Sequence, residues 1–413
     1  MALGAFLGLY EKFLLIHMAK LQLSIIGGAQ IFIILALAPI AGRLLDAHLH
    51  YWVGFVGSIL TIIGYLALSF SSKEGLRDQG NYWAIVATTA ISGLGQACVF
   101  IYGPQNVAQW FPHKKPMAIG IASAGAAAGG LMYPLLFEFL VSRYSFPVGV
   151  RILSAIVGVI AVLAVIIGAP NPAVVPRRID SAWKISTWID KAAFKNAAFL
   201  WYATSLAFIH LGFYALPFYV TIWASNRGLG TPEKTSRGTS EFSGISGFHI
   251  LWLLSIMNAC SMVGRVGSGI LARLIKPIAI QASSCAIGGI ICIFWWPFAP
   301  NAAAVISFCV AYGVLGGSIM GLLASAIAEI IPATGQTFLG HWLGMALCMS
   351  ALPALAAPVI ASALFNSFGE YAVGLWTGSI LIIASVCQTI ALQQIPCGVE
   401  CSEKDANESS EIG

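Results

Sequence analysis

Long apolar runs separated by short polar segments make up most of this chain. A helix that crosses a bilayer needs about 20 mostly apolar residues. Runs of that length predict eleven full spans, at 22–42, 51–71, 82–107, 116–141, 149–169, 197–224, 249–275, 277–298, 301–328, 339–365 and 370–393. The pattern therefore predicts an all-α polytopic membrane protein.

The segments between the spans differ in character. Residues 1–10 are apolar but too short to cross a bilayer, and they lack the basic start and cleavage site of a signal peptide. Residues 170–196 form a polar connector near the middle of the chain, with a short amphipathic helix predicted from Asp180 to Lys195. The loop at 226–247 is rich in Gly, Ser and Thr and is expected to be mobile. The polar end of the chain, from residue 397, is expected to be disordered.

Composition supports the membrane class and excludes several functions. The 413 residues are 58% hydrophobic and only 9% charged, whereas a soluble domain carries about 25% charged residues. The net charge of +5 is small and scattered, so we expect no nucleic-acid partner. The seven histidines and nine cysteines show no metal-ligand or redox spacing, and no phosphate-binding loop is present. We therefore expect no enzyme activity, catalytic residue, metal or cofactor.

The segment from Trp110 to Gly130, WFPHKKPMAIGIASAGAAAGG, joins a basic turn to a run of small residues. Pro116 suits the first turn of a helix, because that turn does not need its missing N–H. Gly120, Gly125 and Gly129 then predict a face against which another membrane helix can pack closely. The alternative is any tightly packed membrane helix with a basic edge.

Residues Trp110 to Gly125 resemble the fifth-helix signature of the monocarboxylate-porter family of the major facilitator superfamily. The aromatic-Phe pair, the basic residues, Met117-Ala118-Ile119-Gly120 and Ala124-Gly125 carry the resemblance. The fungal, monocarboxylate-permease-like branch is the most similar in general sequence character, and a weaker resemblance covers nearly the whole chain.

The resemblance implies a major facilitator fold of 6+6 helices in two pseudo-symmetric bundles. The bundles would comprise residues 1–169 and 197–393, joined by a cytoplasmic loop at 170–196 and followed by a disordered cytoplasmic tail at 394–413. Residues 1–10 would be the remnant of the first helix, whose first half is absent. The alternative for 170–196 is an ordinary interhelical loop.

Gly42, Arg43 and Asp46 resemble the superfamily's cytoplasmic latch between its second and third helices. With Lys114 and Lys115 they would hold one conformation closed and release it in the other. His48 and His50 replace the usual downstream basic residues, which predicts a softer or pH-sensitive latch. The alternative is an ordinary charged turn.

Arg265 lies in an apolar span, where a charge is costly unless it faces the protein interior or a wet cavity. Its surroundings, with Asn258 and Ser261, resemble the family's eighth-helix element, whose arginine pairs with a substrate carboxylate. Ser261 stands where well-studied proton symporters of the family carry an aspartate. A serine cannot carry a proton at neutral pH, so the resemblance leaves proton coupling at this position undecided. The alternative is an arginine that extends to the headgroups.

Other polar residues within the spans are candidates for the lining of a substrate cavity. They would face water in a cavity or form hydrogen bonds between helices. These candidates are Gln30, Tyr102, Gln105, Asn106, Tyr133, His210 and Tyr214.

These observations predict a monomeric secondary transporter that moves a small organic anion, similar to a monocarboxylate, by alternating access. The alternatives are an efflux transporter for a fungal secondary metabolite and a truncated homologue that does not transport. The expected partners are the bilayer and a small anionic substrate, with proton coupling open. We expect the plasma membrane, with the vacuolar or another internal membrane as the alternative.

Overall fold

The computed structural model describes residues 10, 14–15, 17–18, 20–72, 80–175, 179, 184–226, 232–233, 241–242, 252–299, 301–331 and 338–395. The predicted first-helix remnant at 1–9, most of the loop at 226–247 and the predicted disordered tail from residue 396 onward lie outside these residues. The predicted connector helix from Asp180 is described only from residue 184.

The helices of the first part of the chain are α1 (Lys20–Ala36), α2 (Ala38–Asp46), α3 (His50–Leu68), α4 (Tyr82–Trp110), α5 (Lys115–Arg143), α6 (Phe146–Ile167), α7 (Ile185–Trp188) and α8 (Lys191–Lys195). They are followed by α9 (Ala197–Phe213), α10 (Ala215–Asn226), the antiparallel pair β1 (Pro232–Glu233) and β2 (Glu241–Phe242), and α11 (Trp252–Leu271). The last helices are α12 (Pro277–Phe294), α13 (Ala302–Gly321), α14 (Leu323–Ile330), α15 (Leu339–Met349), α16 (Ala351–Phe368) and α17 (Glu370–Gln393). The all-α prediction is confirmed.

Ten helical segments of the described chain are long and apolar enough to cross a membrane, and they coincide with ten of the eleven predicted spans. The remaining predicted span corresponds to α11, which has 20 residues. Its hydropathy is lower because it carries Asn258, Ser261 and Arg265, all of which are buried. A helix of spanning length that hides its polar residues is typical of one that lines a protein interior.

Four predicted spans are broken into two helices each, at Leu37, Tyr214, Leu322 and Ser350. Prolines follow three of these breaks closely, at Pro39, Pro217 and Pro353. Proline lacks an N–H and clashes with the carbonyl four residues earlier, so it interrupts the helical hydrogen bonds.

One carbonyl freed in this way has a partner on another helix. Pro217 cannot donate to the Phe213 carbonyl, and the Tyr312 hydroxyl on α13 donates to that oxygen at 3.2 Å. A neighbouring helix thus supplies the hydrogen-bond donor that this carbonyl lacks within its own helix. Backbone groups buried in a membrane need such partners.

Helices from residues 20–167 contact helices from residues 197–393 along three lines, α1 with α16, α2 with α15, and α5 with α11. Glycines lie at each line. A Cβ placed on Gly344 would be 2.5 Å from the Ala38 carbonyl oxygen, and one on Gly120 would be 2.6 Å from the Arg265 carbonyl oxygen. Without side chains, the backbones approach closely and gain van der Waals contact, the main attraction between helices in lipid.

The structure divides the predicted connector helix into α7 and α8. Asp190 interrupts it, because its carboxylate accepts a hydrogen bond from the Ala192 N–H at 3.0 Å and so caps the start of α8. The Trp188 carbonyl lies 2.7 Å from His341 Nε2, and Trp342 Nε1 donates to Asp190 at 3.3 Å. The connector is therefore attached to α15.

Candidate functional site

Arg265 is the buried cation of α11, with 5% of its surface exposed. It lies about 9 Å from the end of α11 at Leu271, counting 1.5 Å per residue. Its Nε donates to Ser261 Oγ at 3.4 Å, one turn farther from that end. The side chain therefore extends toward the middle of the helix, which disagrees with the alternative that it reaches the headgroups.

Close backbone packing holds this part of α11 between two helices. A Cβ on Gly321 of α13 would lie 3.1 Å from Arg265 Cα, and Ser318 Oγ donates to the Gly264 carbonyl at 3.3 Å. On the other side Gly120 of α5 contacts the Arg265 carbonyl. The backbone position of Arg265 is thus set by helices from both parts of the chain.

Two further candidates lie beside Arg265. Tyr214, at the break between α9 and α10, is close enough to interact electrostatically with the guanidinium. The His210 ring centroid is 5.8 Å from that of Tyr214, and His210 Nδ1 is 2.8 Å from the Leu206 carbonyl oxygen. Because a carbonyl only accepts hydrogen bonds, Nδ1 carries the proton and Nε2 is the acceptor in the neutral ring. The structure therefore brings together Arg265, Ser261, Tyr214 and His210.

Asn258 lies one turn beyond Ser261 on the same face of α11, and its amide donates to the Leu254 carbonyl at 2.9 Å. This face runs through Leu254, Asn258, Ser261 and Arg265, and all four residues are buried. It presents two polar groups and one cation at helical spacing.

Gln30 belongs to a separate network that links α1, α3 and α4. Its Nε2 donates to Ser92 Oγ and to Gln96 Oε1, each at 3.3 Å, and Gln96 Nε2 donates to Tyr65 OH at 3.3 Å. Tyr133 of α5 is half-buried and interacts electrostatically with Tyr65. Sequence reasoning missed Gln96 and Tyr65, although an amide in the middle of the span 82–107 was a usable signal.

Tyr102, Gln105 and Asn106 lie toward the end of α4, away from this network. The Tyr102 hydroxyl donates to the Gly168 carbonyl at 2.5 Å, and Gln105 Nε2 donates to Asp46 Oδ1. The buried Asn106 Oδ1 has no hydrogen-bond partner among the described residues. These contacts associate Gln105 with the predicted latch.

The predicted latch residues Gly42, Arg43 and Asp46 contact the C-terminal part of the chain. The Asp46 carboxylate accepts hydrogen bonds from the Gly340 N–H at 3.1 Å and the His341 N–H at 2.9 Å, at the start of α15. A carboxylate at a helix N-terminus is favoured by the helix dipole. Gly42 packs directly on Gly340, and Arg43 Nε donates to the Thr187 carbonyl at 3.2 Å. We call the end of the molecule that carries Asp46 the latch end.

Lys114 and Lys115 lie at the same end, at the start of α5. Lys114 is exposed and Lys115 is half-buried. They belong to the start of α5, which packs on the end of α11, since a Cβ on Gly269 would lie 2.8 Å from the Pro116 carbonyl oxygen. Gly125 and Gly129 differ from the prediction, because a Cβ on Gly125 would meet nothing within 4 Å and Gly129 faces the Tyr133 ring of its own helix. Of the three predicted packing glycines, Gly120 contacts another helix.

The turn after α2 contains His48, whose pKa is lowered by burial. Its φ of 61° is in the left-handed region, which favours glycine. Its ring lies 5.6 Å from that of His50, which is fully buried. Among the described residues, no three His, Cys, Asp or Glu side chains form a group that could hold a metal ion.

The comparisons with known proteins agree with this architecture. The family model of the Major Facilitator Superfamily matches residues 2–340. "MFS-type transporter 1" of Ophiocordyceps sp. is 25% identical over 94% of this chain and 80% of its own length. The Aspyridones efflux protein apdF of Emericella nidulans is 25% identical over 92% of this chain and 72% of its own length. The Agnestins efflux protein AgnL12 of Paecilomyces divaricatus is 23% identical over 96% and 84%.

Two solved structures share the fold. The human organic anion transporter MFSD10 superposes with a TM-score of 0.66 at 13% identity, over 88% of this chain and 83% of its own. The Escherichia coli fucose:proton symporter FucP superposes with a TM-score of 0.63 at 13% identity, over 94% and 95%.

Proposed function

Because the chain belongs to the Major Facilitator Superfamily, and is thus a multi-pass membrane protein, we propose that it is a secondary transporter that exports a fungal secondary metabolite. The names of the relatives support export, since apdF and AgnL12 are both described as efflux proteins. We further propose that the exported molecule is a small organic anion. The observation that carries this second step is the buried Arg265.

Arg265 requires an anion for a physical reason. A guanidinium removed from water is costly unless charge or hydrogen bonds compensate it. The Ser261 hydroxyl is a neutral partner and Tyr214 is a phenol, so neither balances its charge. The planar guanidinium matches a carboxylate or an enolate oxygen pair. We propose that Tyr214, His210 and Asn258 orient the rest of the substrate.

For the transport cycle we propose that residues 1–169 and 197–393 move as two bundles. Asp46, Gly42 and Arg43 would hold the latch end closed while the substrate site opens at the other end. We assign the latch end to the cytoplasm, in keeping with the resemblance described above. Gln105 would support the latch by orienting the Asp46 carboxylate.

Uptake of a monocarboxylate is the second candidate. The signature at Trp110 to Gly125 and the surroundings of Arg265 favour it, because both resemble the monocarboxylate-porter family. A serine at position 261 cannot carry a proton at neutral pH, so this candidate lacks the acid on which well-studied symporters of that family depend.

The test is transport by the full chain in a yeast strain that lacks its own efflux transporters. Cells are loaded with labelled lactate, salicylate or the neutral ester methyl salicylate, and both efflux and uptake are measured. We expect net efflux of salicylate beyond that of empty-vector cells. Carrier-dependent uptake of lactate without efflux of salicylate would favour the second candidate.

The decisive variant is Arg265→Ala. We expect its salicylate efflux to fall to the empty-vector level at normal protein abundance, because losing a charge-assisted hydrogen bond costs about 1.5–3 kcal/mol, roughly ten- to a hundred-fold in rate. Arg151→Gln is the control, since Arg151 donates to Ser69 Oγ, directly after α3 and far along the chain from the site. Wild-type efflux by Arg265→Ala would remove Arg265 from the substrate site.

A further inference from the structure

The connector crosses the latch end between the two parts of the chain. We call residues 187–190 the strap. At one end of the strap, Arg43 Nε of α2 donates to the Thr187 carbonyl at 3.2 Å. At the other end, the Asp190 carboxylate accepts a hydrogen bond from Trp342 Nε1 of α15 at 3.3 Å. The strap therefore bridges α2 and α15 beside their direct contact, which we call the α2–α15 seam.

Further contacts attach the strap to α15. The Trp188 carbonyl lies 2.7 Å from His341 Nε2, and the Asp190 N–H donates to the sulfur of Met345 at 3.4 Å. His341 and Met345 are one helical turn apart, so they share a face of α15. The strap therefore lies along this face.

The groups at both ends of the strap are shielded from water. The side chains of Arg43 and Trp342 are 3% and 4% exposed. Breaking a buried hydrogen bond without replacing it is costly, because the freed group keeps its desolvation penalty. Arg43 also carries a charge, which makes its bond to the Thr187 carbonyl stronger than one between neutral groups.

A short covalent path also holds the strap to the C-terminal part of the chain. Asp190 caps α8, and Asn196 directly after α8 caps α9, because its side chain accepts a hydrogen bond from the Phe199 N–H at 3.1 Å. The Phe199 ring packs edge-on against Trp342, with ring centroids 5.2 Å apart. The strap, α8, α9 and α15 thus form a closed circuit of contacts. The path from the strap back to the first part of the chain is longer, since α6 ends at Ile167.

We propose that the strap fastens the latch end, stays on α15 throughout the transport cycle and binds α2 reversibly through Arg43. When the latch end opens, the Arg43 guanidinium leaves the Thr187 carbonyl, and the contacts of Asp190 with α15 persist. Water reaches the guanidinium in the open state and replaces the lost acceptor. This role of the strap rests on the alternating access proposed above, and it adds the connector to the parts that must separate.

The test is hydrogen–deuterium exchange of the purified full chain in dodecyl maltoside, without substrate, relative to the same peptides unfolded. Residues 338–346 report on the closed latch end, because the Gly340 and His341 N–H groups bind Asp46 across the seam. For Arg43→Gln we expect exchange there to accelerate about ten-fold, because the closed state loses a charge-assisted hydrogen bond. Exchange at 189–196 should stay as in the wild type, since the strap remains on α15.

Trp342→Phe is the matched variant at the other end of the strap. It removes the Nε1–H donor to Asp190 but keeps an aromatic ring on Phe199. A bond that persists in both states does not affect the equilibrium between them, so exchange at 338–346 should change by less than about two-fold. Lys195→Gln, at an exposed position of α8, removes one charge as Arg43→Gln does and should also have no effect.

A third variant separates the strap from any other role of Arg43. His341→Leu/Trp342→Phe removes two side-chain bonds of α15 to the strap. On that background Arg43→Gln should accelerate exchange at 338–346 by less than about two-fold, because a detached strap no longer links the two helices. A full ten-fold effect on this background would overturn the proposal.

Two results with single variants would overturn it as well. One is unchanged exchange at 338–346 in Arg43→Gln. The other is acceleration by Trp342→Phe, because the strap would then leave α15 instead of α2. If Arg43→Gln does not fold, Arg43→Lys keeps the charge without the planar donor and should accelerate exchange about three-fold. Since no substrate is present, these outcomes are independent of the efflux test.

Discussion

At the scale of single residues, charge burial is the feature that points to function. Arg265 is almost fully buried, and its partners among the described residues are a hydroxyl and a phenol. A cation in such surroundings reduces stability unless something compensates it, so its presence indicates a use. Asp46 is a contrasting case, because its carboxylate is satisfied by backbone N–H groups and serves the contact between helices.

His48 allows a test of backbone strain and of pH dependence together. We expect His48→Gly to stabilise the protein by about 1 kcal/mol, because glycine adopts the φ of 61° without the Cβ clash. Burial lowers the pKa of His48 below its ordinary value of 6.5, so protonation favours the unfolded state. The stability that the neutral imidazole contributes is thus complete above pH 6.5 and is lost as the pH falls below that value.

Thermal unfolding of the purified protein at pH 7.5 and pH 5.5 measures both effects. His48→Gly should unfold at a higher temperature than the wild type at both pH values. It should also lose less stability than the wild type between pH 7.5 and pH 5.5. His113→Ala, at an exposed position, is the control and should behave as the wild type does. An unchanged pH response in His48→Gly would exclude His48 as a source of acid sensitivity.

At the scale of helices, glycine and proline determine how the spans meet and bend. Prolines follow the breaks at Leu37, Tyr214 and Ser350, while the break at Leu322 follows Gly321, which packs against Arg265. The broken helices keep their polar backbone groups satisfied through neighbours, as the Tyr312 hydroxyl does for Phe213. Two of the four breaks, at Tyr214 and Leu322, thus adjoin the candidate site around Arg265.

Two glycines of α5 make a matched pair for the contact with α11. We expect Gly120→Ala to destabilise the protein by about 1–3 kcal/mol, since its Cβ would lie 2.6 Å from the Arg265 carbonyl oxygen and the backbone must move. Gly125→Ala should be neutral or stabilise by up to about 1 kcal/mol, because the space around it is open and alanine favours helix. Equal unfolding midpoints for the two variants would contradict the observed packing.

At the scale of the whole molecule, the contact lines between the two parts of the chain would decide, in the proposed transport cycle, which end is open. Two of them reach the latch end, the α2–α15 seam through Asp46 and the α5–α11 seam through Gly269. The connector adds a third contact there, through Arg43 and Thr187. Changing the charge of one seam should therefore shift the closed state without altering the helices themselves.

Asp46→Asn tests this idea. An asparagine has one acceptor oxygen instead of two and no charge, so the hydrogen bonds to Gly340 and His341 weaken by about 1.4 kcal/mol, a factor of ten in opening. Hydrogen–deuterium exchange of the peptide covering α15 should accelerate roughly ten-fold. Glu370→Gln, at the other end of the molecule, is the control and should leave this peptide unchanged. Unaltered exchange in Asp46→Asn would show that Asp46 does not hold the closed state.

Hydropathy alone determined the spans, the all-α class and the position of Arg265 within a span. A bilayer requires long apolar segments, so a charged residue inside such a segment is readily identified. Prolines accompany three of the four helix breaks, but Pro104, Pro134 and Pro358 lie within continuous helices, so proline alone does not determine where a span breaks. Tertiary structure alone decided which polar groups act together. Gln105 looked like a cavity residue but pairs with Asp46, and Gln96 joins Gln30 and Tyr65. Asp46 and Gly340 are 294 residues apart in the chain. Hydrogen bonds depend on distance and direction in space, which local patterns do not encode.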